Sequence, residues 1–127
     1  MNVRVKRVYE EPSEEDGFRV LVGRMWPRGL SKQRAMVDQW LRDIAPSDAL
    51  RKWFGHEPDK WKEFRERYFR ELEVKTDLVK DLEHRAEQGR LTLLFAARDE
   101  KRNNAVALKE YFGSRSGSRR RAQVESL

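Results

Sequence analysis

The stretch Leu91-Thr92-Leu93-Leu94-Phe95-Ala96-Ala97 decides the fold, because it is short and almost wholly apolar. Such a segment is typical of a strand at the centre of a parallel sheet, with both faces buried. A polar loop follows at residues 98–102, and a last helix with an apolar stripe is predicted to begin at Asn103 or Asn104. This succession of strand, loop and helix predicts an α/β domain.

Two more strands are predicted near the start of the sequence. Residues 3–9 alternate valine with basic side chains, the period of a half-exposed strand, and residues 18–22 indicate a more buried one. Asp16-Gly17 is a turn signal between them, so the short connection predicts an antiparallel hairpin. The predicted architecture is therefore a single small three-layer α/β domain with a mixed, mostly parallel sheet flanked by helices.

The middle of the chain predicts helices. Ser47 is a good N-cap for a short helix that Gly55 closes, and Pro58 suits the first turn of the next. A further helix is expected between Thr76 and Gly89. Residues 37–44 are ambiguous, because their apolar spacing favours a helix while an extended segment stays open.

Length and composition bound the rest. The 127 residues suit one domain, predicted at residues 1–113, with a disordered basic tail at 114–127. The absence of cysteine excludes disulfides, zinc–thiolate sites and cysteine nucleophiles. No apolar run is long enough to span a membrane, and no signal peptide is evident, so we expect a cytoplasmic monomer with no membrane partner.

Side chains suited to binding gather at two strand ends. Ligands of open α/β sheets bind outside the carboxyl ends of the strands, and helix N-termini attract anions. If the strands at residues 18–22 and 91–97 are parallel neighbours, the polar side chains that follow them meet at one edge of the sheet. Asp99 would then be the candidate acid–base residue. The alternative interpretation is structural: Trp26 is a core residue, and Arg24 pairs with a carboxylate. The predicted ligand-binding residues are Arg24, Trp26, Arg28, Arg98, Asn103 and Asn104.

Familiar catalytic motifs are missing from the sequence. It contains no P-loop, no Gly-x-Gly-x-x-Gly and no Gly-x-Ser-x-Gly. Its two histidines, His56 and His84, are far apart and read as surface or capping residues. Accordingly, no metal and no cofactor are predicted.

Several blocks match a known pattern in order. The most specific are Trp26-Pro27-Arg28-Gly29, Ala45-Pro46-Ser47 and Trp53-Phe54-Gly55, and the match extends over about residues 3–112. The sequence resembles the YeaO-like branch of the family catalogued as domain of unknown function 488. The resemblance implies a small three-layer α/β fold in bacteria or archaea, without a particular activity. It also implies an extended conformation for residues 37–44.

The sequence departs from this family at two places that bear on chemistry. An aspartate usually precedes the arginine after the second strand, where this chain has Gly23, and a histidine commonly follows the asparagine of the last loop, where it has Asn104. The wider family's Cys-His-Arg run is absent too. These departures remove the groups best suited to proton transfer.

Three functions are therefore considered. The first is a protein that binds a small anionic or nucleotide-like ligand at the strand ends, with catalysis left open. The alternative is a nucleic-acid-binding module that uses the basic tail and the Lys/Arg-rich helix faces. The third is an interaction module with Trp40, Trp53 and Trp61 as a partly exposed patch, although a core position is favoured for each.

Overall fold

The computed structural model describes the backbone of residues 1–125 and the side chains of residues 1–115. Within residues 1–125 the chain forms four strands and five α-helices, and none of these helices is long and apolar enough to cross a membrane. The strands are β1 (Val3–Arg7), β2 (Phe18–Leu21), β3 (Gln39–Trp40) and β4 (Leu91–Phe95). The helices are α1 (Lys32–Ala35), α2 (Asp48–Phe54), α3 (Trp61–Glu73), α4 (Thr76–Gln88) and α5 (Asn104–Glu125).

The sheet confirms the predicted α/β class. Its strand order is β1-β4-β2-β3, and every neighbouring pair is parallel. All residues of β4 are buried, as the apolar stretch predicts for a central strand. The described sheet is thus wholly parallel rather than mixed.

The predicted antiparallel hairpin between the first two strands is wrong. β1 and β2 run parallel on either side of β4, so residues 8–17 return the chain to the start of β2. Lys6 of β1 holds this return segment, because its Nζ donates to the Glu11 carbonyl at 2.7 Å and to the Asp16 carboxylate at 3.0 Å. Asp16-Gly17 therefore ends a crossing of the sheet instead of closing a hairpin.

The two faces of the sheet are covered unequally. Val20 and Leu93 face the main core, which α2, α3, α4 and α5 complete. Leu21 and Leu94 point to the opposite face, where α1 and the loops beside it form a smaller apolar cluster. This alternation follows from the period of two along a strand.

Residues 37–44 form a short strand and a turn rather than a regular helix. β3 pairs with the end of β2, and a single 3-10 turn follows at Arg42–Ile44. The Trp40 ring packs edge-on against Trp26 at 5.4 Å, and its Nε1 donates to the Gly23 carbonyl at 2.7 Å. This contact fixes the chain just after β2, where the candidate site begins.

The last helix begins as the sequence predicts. The Asn103 side chain caps it, since its Oδ1 accepts the Val106 N–H at 3.0 Å. The backbone of α5 continues to Glu125, through the stretch predicted to be a disordered basic tail. Side chains after residue 115 lie outside the described residues, so that tail and the domain boundary at residue 113 stay predictions.

Candidate functional site

A cavity of about 330 Å³ opens at the carboxyl edge of the sheet. It lies where β2 and β4 end beside the first turn of α5, and the loop before α2 closes another side. Its volume falls within the range of roughly 300–1,000 Å³ that is typical of small-molecule pockets. The lining residues that matter below are Gly23, Arg24, Pro46, Phe54, Arg102 and Asn104.

The ionisable side chains that line this cavity are all basic. They are Arg24, Arg51, His56 and Arg102, which come from three segments of the chain. Asp48, which does not line the cavity, lies 3.6 Å from Arg24 Nε and 3.5 Å from Arg51. Arg102 pairs with Asp99 in the same way, so each of the three arginines has a carboxylate partner, but neither carboxylate lines the cavity.

Arg24 carries an unsatisfied donor. Its Nε is buried, and no acceptor among the described residues lies within hydrogen-bonding distance of it. The nearest carboxylate oxygen, on Asp48, is too distant for a good hydrogen bond. Because the Nε atom is enclosed while the side chain as a whole is 37% exposed, a ligand in the cavity would contact other atoms of the Arg24 side chain.

The two asparagines at the start of α5 join the cavity to the sheet. Asn104 Nδ2 donates to the Val22 carbonyl at the end of β2, at 2.6 Å. Asn103 is buried, and its Nδ2 donates to the Asp99 carbonyl at 2.9 Å. The first N–H groups of a helix have no intrahelical acceptor, so this end of α5 adds a positive dipole to the wall.

Asp99 organises the loop before α5. Its carboxylate accepts the backbone N–H groups of Lys101 and Arg102 and pairs with the Arg102 guanidinium at 3.0 Å. The hydrogen bond from the Lys101 N–H has the largest effect, and together with the contacts of Arg102 it outweighs burial and holds the pKa of Asp99 below its usual range. Asp99 does not line the cavity, and its acid–base role stays a prediction.

Three other predicted ligand residues lie outside the cavity lining. Trp26 packs against Trp40, and its Nε1 donates to the Leu30 carbonyl at 2.6 Å, which agrees with the core interpretation. Arg28 is exposed, and its carbonyl accepts the Tyr9 hydroxyl at 2.8 Å. Arg98 is also exposed. The structure therefore brings together Arg24, Asn103 and Asn104, and ligand roles for the other three stay predictions.

Sequence reasoning missed the contribution of α2 and the turn after it. Arg51 and Phe54 reach the cavity from α2, and His56 lies at its rim. Gly55 and His56 both have positive φ, 53° and 57°, so the chain reverses sharply and returns the imidazole to within 6.1 Å of the Phe54 ring. The signal was the block Trp53-Phe54-Gly55, which carried the family resemblance but suggested no chemistry.

The loop that carries Pro46 is held by α3. The Tyr68 hydroxyl donates to the Ile44 carbonyl at 2.7 Å, and Lys75, just after the helix, donates to the Ala45 carbonyl at 3.0 Å. Glu71 accepts both the backbone N–H and the hydroxyl of Ser47, at 2.8 and 2.6 Å. This side of the cavity is therefore built before any ligand arrives.

Charges of both signs act on Lys75, beside the loop that carries Pro46. Burial lowers the pKa of Lys75, and the Arg24 guanidinium lowers it further, whereas Glu71 and Asp43 act in the opposite direction. Two cations thus lie close enough to disfavour each other.

Replacing Glu71 by alanine is expected to lower the free energy of unfolding by about 2–3 kcal/mol, because the Ser47 N–H and hydroxyl lose a charged acceptor. Glu71→Gln, which keeps one carbonyl oxygen, should recover part of this loss. Urea unfolding of the three proteins measures the difference. Equal stability of wild type and Glu71→Ala would show that the hydrogen bonds between Glu71 and Ser47 contribute nothing to the free energy of unfolding.

Among the described residues, no three His, Asp or Glu side chains cluster closely enough to hold a metal ion. The described lining of the cavity contains no carboxylate. The site is therefore a set of arginine, amide and aromatic groups.

Comparisons with known proteins agree with the family resemblance. The chain is 40% identical over 114 residues to the uncharacterized protein YeaO of Escherichia coli, covering 90% of this chain and 99% of that protein. It is 39% identical over 113 residues to an uncharacterized protein of Mycobacterium tuberculosis, covering 89% and 95%. No solved structure matches the chain. A family model described as the inactive DUF488-N3 subclade matches residues 2–126, and the chain belongs to that family.

Proposed function

We propose that this protein binds a small anionic or nucleotide-like ligand in the cavity at the carboxyl ends of β2 and β4. The observation that carries the proposal is the cavity lining, in which every ionisable side chain is basic and no carboxylate is present. Arginine suits this role because its planar fork of donors matches a phosphate or carboxylate.

Binding is favoured over catalysis by what the cavity lacks. Gly23 and Asn104, which replace the aspartate and histidine usual in the resembling family, both line it. Asp99 is already engaged by backbone N–H groups and by Arg102. The name of the family, an inactive subclade, supports the same conclusion.

Arg24→Ala is expected to weaken the binding of inorganic phosphate by about tenfold to hundredfold, since a charge-assisted hydrogen bond contributes roughly 1.5–3 kcal/mol. Calorimetric titration of the full chain measures the dissociation constant. Folding should be little affected, because the ion pair of Arg24 with the exposed Asp48 is weak.

The matched control is Arg28→Ala, which removes the same charge from an exposed site outside the cavity. Its phosphate affinity should equal that of wild type. If Arg28→Ala weakens binding and Arg24→Ala does not, the anion binds elsewhere and the proposal is wrong. If phosphate does not bind while RNA binds with a steep salt dependence, the alternative of a nucleic-acid-binding tail is favoured.

A further inference from the structure

The wall beside the cationic groups is apolar and aromatic. Phe54 and Phe64 line it, and their rings stack with centroids 4.4 Å apart and planes 25° apart. The stack continues to Tyr68 at 5.9 Å and is flanked by Trp61, 5.6 Å from Phe64. Such a column of buried rings is rigid, so one side of the cavity presents a preformed apolar surface.

More apolar groups complete this surface. Pro46 lies in the loop before α2, which hydrogen bonds from α3 hold in place. Met25 also lines the cavity and is 69% exposed. The cavity has room for about ten water molecules, at ~30 Å³ for each. Inorganic phosphate would leave most of this space filled by water against apolar side chains, which is unfavourable.

Arg24 and Arg102 lie in the same cavity as the aromatic rings but on different elements, whereas Arg51 shares α2 with Phe54. Arg24 follows β2 and Arg102 precedes α5, whereas Phe54 belongs to α2 and Phe64 to α3. A ligand that contacts both sets of side chains combines an anionic group with an apolar body, and a flat body suits packing against the aromatic rings. The His56 ring, 6.1 Å from Phe54 at the rim, offers a second flat surface for that body.

We propose that the ligand is an aromatic monophosphate, whose phosphate group is held by Arg24 and Arg102 and whose ring packs against Phe54. This inference rests on the proposed function and adds the chemical class of the ligand. It distinguishes such compounds from sugar phosphates, whose hydroxyl groups would find few partners on the apolar wall.

Titration of the full chain with four probes tests the inference. Phenyl phosphate should bind at least about tenfold more tightly than inorganic phosphate or glycerol 1-phosphate, because it also buries a ring. Phenol, which has the ring alone, should bind more weakly than phenyl phosphate. Equal affinities for the three phosphates would overturn the aromatic class while leaving an anion site intact. Absence of binding by all four would overturn both proposals.

Two variants locate the ring. Phe54→Leu keeps an apolar side chain and should weaken phenyl phosphate about threefold to tenfold while leaving inorganic phosphate unchanged. Met25→Ala alters the exposed part of the same surface without touching the core, and a smaller loss in the same direction is expected. Met36→Ala, an exposed methionine outside the cavity lining, is the control. Unchanged phenyl phosphate affinity in both Phe54→Leu and Met25→Ala would contradict the proposed position of the ring.

Discussion

Replacing Asp16 by alanine is expected to lower the free energy of unfolding by about 3–5 kcal/mol, the usual cost of removing one partner of a buried ion pair. The Asp16 carboxylate is 2.5 Å from Arg19 and 3.0 Å from Lys6, and it also accepts the Ser13 N–H. Asp16 and Arg19 are each less than 5% exposed, at 3% and 4%. Without the carboxylate, the buried guanidinium keeps only the carbonyl oxygens of Ala35 and Met36.

Denaturant unfolding of wild type and Asp16→Ala measures this loss of free energy of unfolding. Glu15→Ala, at the exposed neighbouring residue, is the control. Glu15→Ala should stay within about 0.5 kcal/mol of wild type, as most surface substitutions do. A loss for Asp16→Ala no greater than that of the control would mean that the buried pair contributes nothing to stability.

The same carboxylate predicts a pH dependence. Burial alone would raise the pKa of Asp16, but hydrogen bonds from Ser13, Lys6 and Arg19 outweigh it and lower the pKa. A depressed carboxyl pKa contributes stability that is present above the unfolded value of about 3.9 and is lost as the pH falls through the folded pKa. The stability difference between wild type and Asp16→Asn should therefore shrink as the pH falls below about 4. A difference independent of pH would contradict this assignment.

Gly17→Ala should cost about 3 kcal/mol or more. Gly17 has φ 65° and ψ −133°, which side-chain-bearing residues rarely adopt, and strain of this kind costs about 1–3 kcal/mol. A Cβ there would also overlap the Arg90 carbonyl oxygen. That carbonyl accepts the Phe18 N–H at 2.9 Å, so the backbone cannot withdraw without breaking a bond at the start of β2.

Gly29→Ala serves to distinguish the cost of backbone strain from the cost of overlap with a neighbouring atom. Gly29 also has a positive φ, of 76°, but a Cβ there would meet open space. Its cost should be only about 1–2 kcal/mol. Thermal unfolding of both variants compares them, and equal losses would show that contact with Arg90 is unimportant.

Much of the fold follows from local patterns in the sequence. Ser47 and Gly55 bound α2 as their capping preferences predict, and the apolar stretch of β4 is the central strand. The prediction of a hairpin was wrong because Asp16-Gly17 favours a turn but does not determine whether the next strand pairs with the preceding one. What sets the topology is the non-local pairing of both β1 and β2 with β4, about 70–90 residues later in the sequence.

The candidate site could be predicted only in part for the same reason. Arg24 and Asn104 follow strands and meet because parallel strands end at one edge. Arg51 and His56 come from another region of the sequence, and only the packing of α2 brings them to that edge. Trp26 is near Arg24 in sequence, but it turns to the opposite face, where it packs with Trp40.

The central claim is that an anion binds between the ends of β2 and β4 and the start of α5. Backbone amide resonances of the isotope-labelled full chain, followed by NMR during titration with inorganic phosphate at constant ionic strength, test it most directly. We expect saturable shifts at Gly23, Ala97 and Asn104, which line the cavity, and none of comparable size at Gly29. Shifts confined to the region of Gly29, or no saturable shift at the cavity, would contradict the claim.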